Sequence, residues 1–528
     1  MFEIIPYILF LAVIGTAIAE RINVPYPLVL VIAGLITGFT PGMPTWQPHS
    51  HIVLPLFLPP ILFAAARLIS WQEIRENLAE IFSLSIGLVI FSSIAIGFIL
   101  HWIVPGMPFS AALVLGAIIS PTDCIAATSI LNKMNVRQRL VRTLEIESLF
   151  NDATSILLYS MAVLLVYMGS VRVSASFLHM VYVSIGGIGV GLALAFITGY
   201  IIKKFLASSE NELPIIMSLI LAYVAYLFAE RLGVSGVLAV VTAGLFHRRT
   251  ERHILARTRL TEKSAWDTYI FFLNGLIFIA IGMQLPLYLD KIKYLPITQF
   301  ILFSIVTIST LTISRFIWVA LTAYLIKLTQ KIRSSKPRAP TYTWSDITIA
   351  SWSGMRGMVS LALAVALPLN LTGTIEFPYR SLIIFLSIIA ILFSLLAQGL
   401  TLPRLIKYLG VTEKEDDLHI EADLIYKKLT QHAIKHLGHI ATKENLSQAQ
   451  AKQLVENYYH NRLLHFKLSD ESNKQIIEMN RKAHLFLKKI LQYERNVLHD
   501  LLERGEITDE VYIRIYHKLD RDEVGFAI

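Results

Sequence analysis

The chain has 528 residues, 55% of them hydrophobic and only 16% charged. A soluble globular protein carries about 25% charged residues, and here the deficit is local: apolar runs succeed one another to about residue 408, and ordinary polar sequence follows. Residues 411–528 hold 18 Lys+Arg against 20 Asp+Glu, so of the net charge of +9 the apolar part carries +11, which points to membrane orientation, not to nucleic acid. Cys124 is the only cysteine, which excludes an intramolecular disulfide.

Thirteen hydrophobic segments follow in order, at 3–20, 25–40, 50–67, 80–104, 107–131, 140–169, 177–205, 212–231, 234–248, 265–285, 296–328, 345–367 and 378–406. The first follows Glu3 and not a basic stretch, and it lacks a small-residue cleavage site, so it reads as a span. Several exceed the about 20 residues needed to cross, which implies tilt. Alternate loops carry the basic clusters Lys133/Arg137/Arg139/Arg142, Lys203/Lys204, Arg248 to Lys263 and Lys327 to Arg338. That asymmetry puts those loops in the cytoplasm, the N-terminus outside and the C-terminal tail inside, as an odd number of spans requires. Thirteen also divides as six, one and six, the inverted-repeat plan of many secondary transporters. The expected architecture is therefore an all-α membrane domain over 1–410, with two inverted six-helix repeats, and a helical cytoplasmic tail over 411–528.

Span five contains Ser120-Pro121-Thr122-Asp123 at mid-depth. Proline removes a backbone donor and clashes with the preceding turn, so the helix breaks there. Broken helices inside a membrane line cavities and offer their ends as ion sites. Asp123 then lies at the positive end of the second half-helix and offsets its dipole; the alternative is a packing kink with Asp123 bonded locally.

Span six carries Glu147-Ser148-Leu149-Phe150-Asn151-Asp152. An acid near the bilayer midplane costs at least about 2.5 kcal/mol and marks a function by default. Ser148 and Asp152 share one helical face, and Glu147 and Asn151 share the adjacent one. A hydroxyl beside a carboxylate suits a small hard cation, whereas Glu147 requires a positive partner. Span twelve supplies Arg356 between Gly354 and Gly357, and a buried guanidinium prefers a carboxylate. Arg356 is accordingly assigned to Glu147, with Asn151 beside them and Asp152 left as the free titratable group. Arg315 in span eleven is the rival partner, or else it snorkels to the interface.

Span seven holds Gly186, Gly187, Gly189, Gly191 and Gly199, which serve either a dimer contact or packing within one chain. In the tail, helices are expected at 418–437, 447–468 and 472–502. His432, His436 and His439 fall on one face there, read as a solvated face over a metal site.

Leu58-Pro59-Pro60-Ile61-Leu62-Phe63, Ser120 to Asp123, Glu147 to Asp152, Phe272 to Phe278 and Gly354 to Gly357 resemble, in order and spacing, the motifs of the sodium/proton exchanger family, in its bacterial monovalent cation:proton antiporter branch. Glu503 to Ile507 resembles the end of that branch. The resemblance implies a homodimer of thirteen-span protomers in a bacterial inner membrane, with crossed broken helices at spans five and twelve. It implies that Asp152 binds cation and proton in turn, helped by Ser148 and the Thr122 carbonyl, with Asp123 close by. Asn151 before Asp152 implies electroneutral exchange. Na+ is the expected cation and K+ the alternative, with no cofactor and no enzymatic chemistry. A channel and a membrane sensor are the competing classes. Two positions depart from the family: Ala64-Ala65-Ala66 stands where relatives often carry an acid, and Cys124 stands in place of a proline. Both bear on ion preference, the first by removing a cation-binding carboxylate, and Cys124 also bears on where the helix breaks.

Overall fold

In the computed structural model, the described residues are 4–412 apart from 23, 42–49, 70–73, 76–77, 170–172, 207–211, 251–253, 255, 293–295, 333–341 and 373–374. The chain divides into two compact units, residues 1–413 and 414–528. The expected tail helices, the three tail histidines and the Glu503 to Ile507 stretch lie outside the described residues.

Every hydrophobic segment becomes helix. In chain order the helices are α1 (Ile4–Arg21), α2 (Tyr26–Phe39), α3 (Ser50–Leu68), α4 (Leu78–Ile103), α5 (Phe109–Ile119), α6 (Cys124–Lys133), α7 (Gln138–Met168), α8 (Val173–Ile201), α9 (Leu213–Arg231), α10 (Gly236–Thr250), α11 (Ala256–Lys291), α12 (Ile297–Ile332), α13 (Trp344–Trp352), α14 (Met358–Val365) and α15 (Arg380–Leu409). A two-stranded hairpin, β1 (Asn370–Thr372) with β2 (Ile375–Glu376), is the only sheet among the described residues.

Seven helices are long and apolar enough to cross a bilayer: α4, α7, α8 with its π-helical extension to Leu206, α9, α11, α12 and α15. The other six hydrophobic segments form the shorter helices α1, α2, α3 and α10 or, at spans five and twelve, interrupted ones. The largest boundary difference is at α11, which begins at Ala256, nine residues before the hydrophobic segment at 265. Arg259, Glu262 and Lys263, which read as loop, are helical.

The breaks fall where proline and glycine put them. Span five divides into α5 and α6 around Ser120 to Asp123, and α6 begins at Cys124. Span twelve divides into α13 and α14 around Ser353 to Gly357. The two unwound segments touch: the Asp123 N–H donates to the Met355 carbonyl at 2.7 Å. Span six stays whole as α7 and packs on α5, so its acids face the first break. Four of the five glycines of span seven pack within the chain, and Gly189 faces open space. A Cβ at Gly187 would collide with the Ser235 carbonyl, and one at Gly191 with the Ala239 carbonyl, so α8 lies directly on α10 and the segment leading into it.

Candidate functional site

An interrupted helix leaves unpaired N–H groups at one inner end and unpaired carbonyls at the other. Each inner end here has a side chain of suitable charge. Asp123 caps α6, its Oδ1 accepting from the Ile125 N–H at 2.9 Å, while its Oδ2 lies 3.4 Å from the Met358 N–H in the first turn of α14. One carboxylate therefore serves the positive ends of both half-helices. A methyl group at Gly357 would strike that carboxylate, which is why glycine stands there.

The carbonyl ends receive arginines. Arg356 donates from Nε to the carbonyl of Ile119, the last residue of α5, at 3.1 Å, and also to the Gly354 carbonyl. Arg315 reaches from α12 and donates to the Ala350 carbonyl near the end of α13, from Nε at 3.2 Å and Nη2 at 3.0 Å. A Cβ at Gly354 would overlap its guanidinium.

Glu147 pairs with Arg315 and not with Arg356, which corrects the sequence assignment. The fork is bidentate, Nη1 to Oε1 at 2.6 Å and Nη2 to Oε2 at 3.2 Å. Arg315 is 1% exposed and does not snorkel. The physical reason is occupancy: Arg356 is committed to the end of α5, so the arginine that arrives from a third helix takes the acid.

The remaining expected residues are brought together. The Ser148 hydroxyl donates to the Thr122 carbonyl at 2.7 Å, and Asn151 Nδ2 donates to Thr122 Oγ1 at 2.8 Å. Thr122 Oγ1 donates in turn to Glu147 Oε1 at 3.3 Å, which links the ion pair to the break. Asp152 differs from its neighbours. It is 9% exposed, and its carboxylate makes no hydrogen bond or ion pair with any described residue. It lies on the wall of a cavity of about 670 Å³, together with Thr122, Asp123 and Ser148. Ala64 and Ala65 line the same cavity, so the position where an acid is missing does face the site.

Sequence reasoning missed Ser360. It lies two residues into α14, lines the cavity and is buried, and its hydroxyl has no hydrogen-bond partner among the described residues. It also missed a buried cluster of Arg67, His247 and Glu262. The signal for that cluster is spacing: Glu262 and Trp266 share a face once α11 is extended into the basic loop.

Two helices interrupted at the same depth, with charged side chains on every inner end and an unbonded carboxylate in a cavity beside them, define a secondary-transporter core. The profile of the family described as "Sodium/hydrogen exchanger, transmembrane" matches residues 8–408. Over 521 residues the chain is 30% identical to an uncharacterised Na+/H+ exchanger of Mycobacterium tuberculosis, covering 97% of this chain and 94% of that protein. It is also 30% identical to a Na+/H+ antiporter of Aphanothece halophytica, covering 84% and 82%. A sodium, potassium, lithium and rubidium/H+ antiporter of Bacillus pumilus shares 30% identity over 82% of this chain and 65% of that protein. The solved structure of the sodium proton antiporter MjNhaP1 from Methanocaldococcus jannaschii superposes with a TM-score of 0.58 at 22% identity, over 78% of this chain and 99% of that one. The chain belongs to the sodium/hydrogen exchanger family.

Proposed function

We propose that this protein exchanges a monovalent cation, Na+, for H+ across a bacterial inner membrane at one carboxylate, Asp152. The observation that carries this reading is the contrast among the site's acids. Glu147 is neutralised by Arg315 and Asp123 is engaged by backbone N–H groups, while Asp152 is left unbonded on the cavity wall. A proton and a metal ion compete for the same oxygens, so one carboxylate cannot hold both. An empty, charged Asp152 is costly to carry past a closed apolar gate, so the site crosses only when occupied. Ser148 and the Thr122 carbonyl supply further oxygen ligands.

The cavity is also lined by Asn132, Glu145, Lys263 and Asp267, which flank the basic loops assigned to the cytoplasm. This supports a state open to the cytoplasm. Outward opening then follows from movement of the broken-helix core around the fixed site. Potassium is the second reading, favoured by Ala64 and Ala65, which leave that side of the ion shell to water. A homodimer completes the reading, on the resemblance alone. The test is reconstitution into vesicles with a pH-sensitive dye and each cation in turn. Dequenching with Na+ is expected, and no response to any monovalent cation would contradict the function.

Asn151 is uncharged and bound to Thr122, so each cycle exchanges one positive charge for another at Asp152. The exchange rate is accordingly expected to stay within about twofold when a potential of about 100 mV is imposed, although moving one net charge would be worth about 2.3 kcal/mol. A rate that follows the potential would overturn electroneutrality. Residues 411–528 are assigned a regulatory role. Deleting them is expected to shift the pH profile or weaken the dimer and to leave exchange in place; loss of all exchange from a folded protein would refute this.

A further inference from the structure

The cavity that holds Asp152 also holds an arginine. Arg67, in the last turn of α3, lines it one turn along from Ala64. A guanidinium stays charged at every physiological pH. On the wall of a route that must attract a monovalent cation, such a charge opposes entry.

The fold holds Arg67 to one side. Glu262 on α11 is 0% exposed, and its Oε1 lies 3.4 Å from Arg67 Nη1 and 3.4 Å from His247 Nε2 on α10. Trp266, one turn along α11, faces the same guanidinium with 5.9 Å from Cζ to the ring centroid. The indole is anchored by its N–H to Ser218 Oγ on α9 at 3.0 Å, and Phe63 stacks on it at 5.4 Å. Four helices therefore build a socket for one arginine, and no step of the exchange at Asp152 uses it. A carboxylate with no solvent exposure persists only where it is paired, and the positive group aimed at it from the cavity wall is Arg67.

We propose that Glu262 is a positioning residue for cation uptake, holding Arg67 in the Trp266 socket and neutralising it so that the acids of the cavity, Asp152 foremost, set the potential a cation meets. The proposal rests on Asp152 as the ion site. Lys263, Asp267 and Glu145 stand at the same cavity and are left unchanged by the test.

The experiment measures Na+-dependent exchange by the full-length protein in proteoliposomes, resolved into apparent Km and maximal rate. One uncompensated charge acting across such a cavity is worth about tenfold in cation occupancy. Glu262→Gln is expected to raise the apparent Km about tenfold with the maximal rate within about twofold. The double variant Arg67→Gln/Glu262→Gln is expected to return Km to within about twofold of the unsubstituted protein. An unchanged Km in Glu262→Gln, or a Km that stays high in the double variant, overturns the proposal. Arg67→Gln alone provides a second reading if Glu262→Gln does not fold: its Km is expected at or below the unsubstituted value, and a tenfold rise overturns the proposal. Failure of the Asp152 reading has a different signature, since exchange would then survive in Asp152→Asn.

Discussion

Asp152→Asn is expected to reduce cation/proton exchange to background while the protein remains folded. The amide matches the carboxylate in size, and Asp152 makes no hydrogen bond or ion pair with a described residue, so little stability is lost with the charge. What is lost is the only group at the break able to hold either a proton or a cation without a competing partner. Size-exclusion profiles and thermal melts should match the unsubstituted protein, and dye dequenching should be absent for every monovalent cation. Full activity in this variant would sink the assignment. In the unsubstituted protein the same competition sets the sign of the pH response. Protonation removes the cation's ligand, so apparent Km for the cation rises as pH falls and levels off as pH rises.

Arg315→Leu is expected to be the most destabilising single change in the core. Removing one member of a buried pair strands the other charge, at a cost of about 3–5 kcal/mol, and here it also takes two donors from the Ala350 carbonyl. The variant should accumulate poorly, with a clearly lower melting temperature in detergent and no measurable exchange. The double variant Glu147→Gln/Arg315→Leu removes both charges and should recover part of the melting temperature, so a double-mutant cycle between the two positions should show coupling above about 2 kcal/mol. Near-additive effects would mean that the pair is not a structural unit. A cycle between Glu147 and Arg356 should show much weaker coupling, because Arg356 is bound to the Ile119 carbonyl at the end of α5 and to the Gly354 carbonyl, not to the acid.

The cavity wall also bears on ion preference. Ala64 and Ala65 place methyl groups where an acid would add charge to the shell, leaving Asp152, Ser148 and the Thr122 carbonyl as the expected protein ligands. Ser360 supplies a buried hydroxyl on the same wall from the second broken helix, so both interrupted segments present oxygen to the cavity.

Much of this architecture is legible from local sequence. The helices follow from long apolar runs. The break in span five follows from Pro121, because a missing N–H acts on its own turn, while the break in span twelve is implied by the family resemblance. The helical spacing of Ser148 and Asp152, and the place of Asp123 at the start of a half-helix, are local in the same sense. Charge pairing is not local. Two arginines, Arg315 and Arg356, were available to Glu147, and the choice depended on which helix end each reached after packing. Likewise, Glu262 lies in a basic stretch that reads as solvated loop, and only the extension of α11 against α3 and α10 buries it beside Arg67. Sequence therefore determined the class of protein, the break in span five and the presence of Asp152 in an apolar helix, because the cost of proline or a carboxylate there is paid wherever the chain goes. Tertiary structure decided which acids are neutralised and which is left open, because an ion pair forms only between groups that packing brings within a few ångströms.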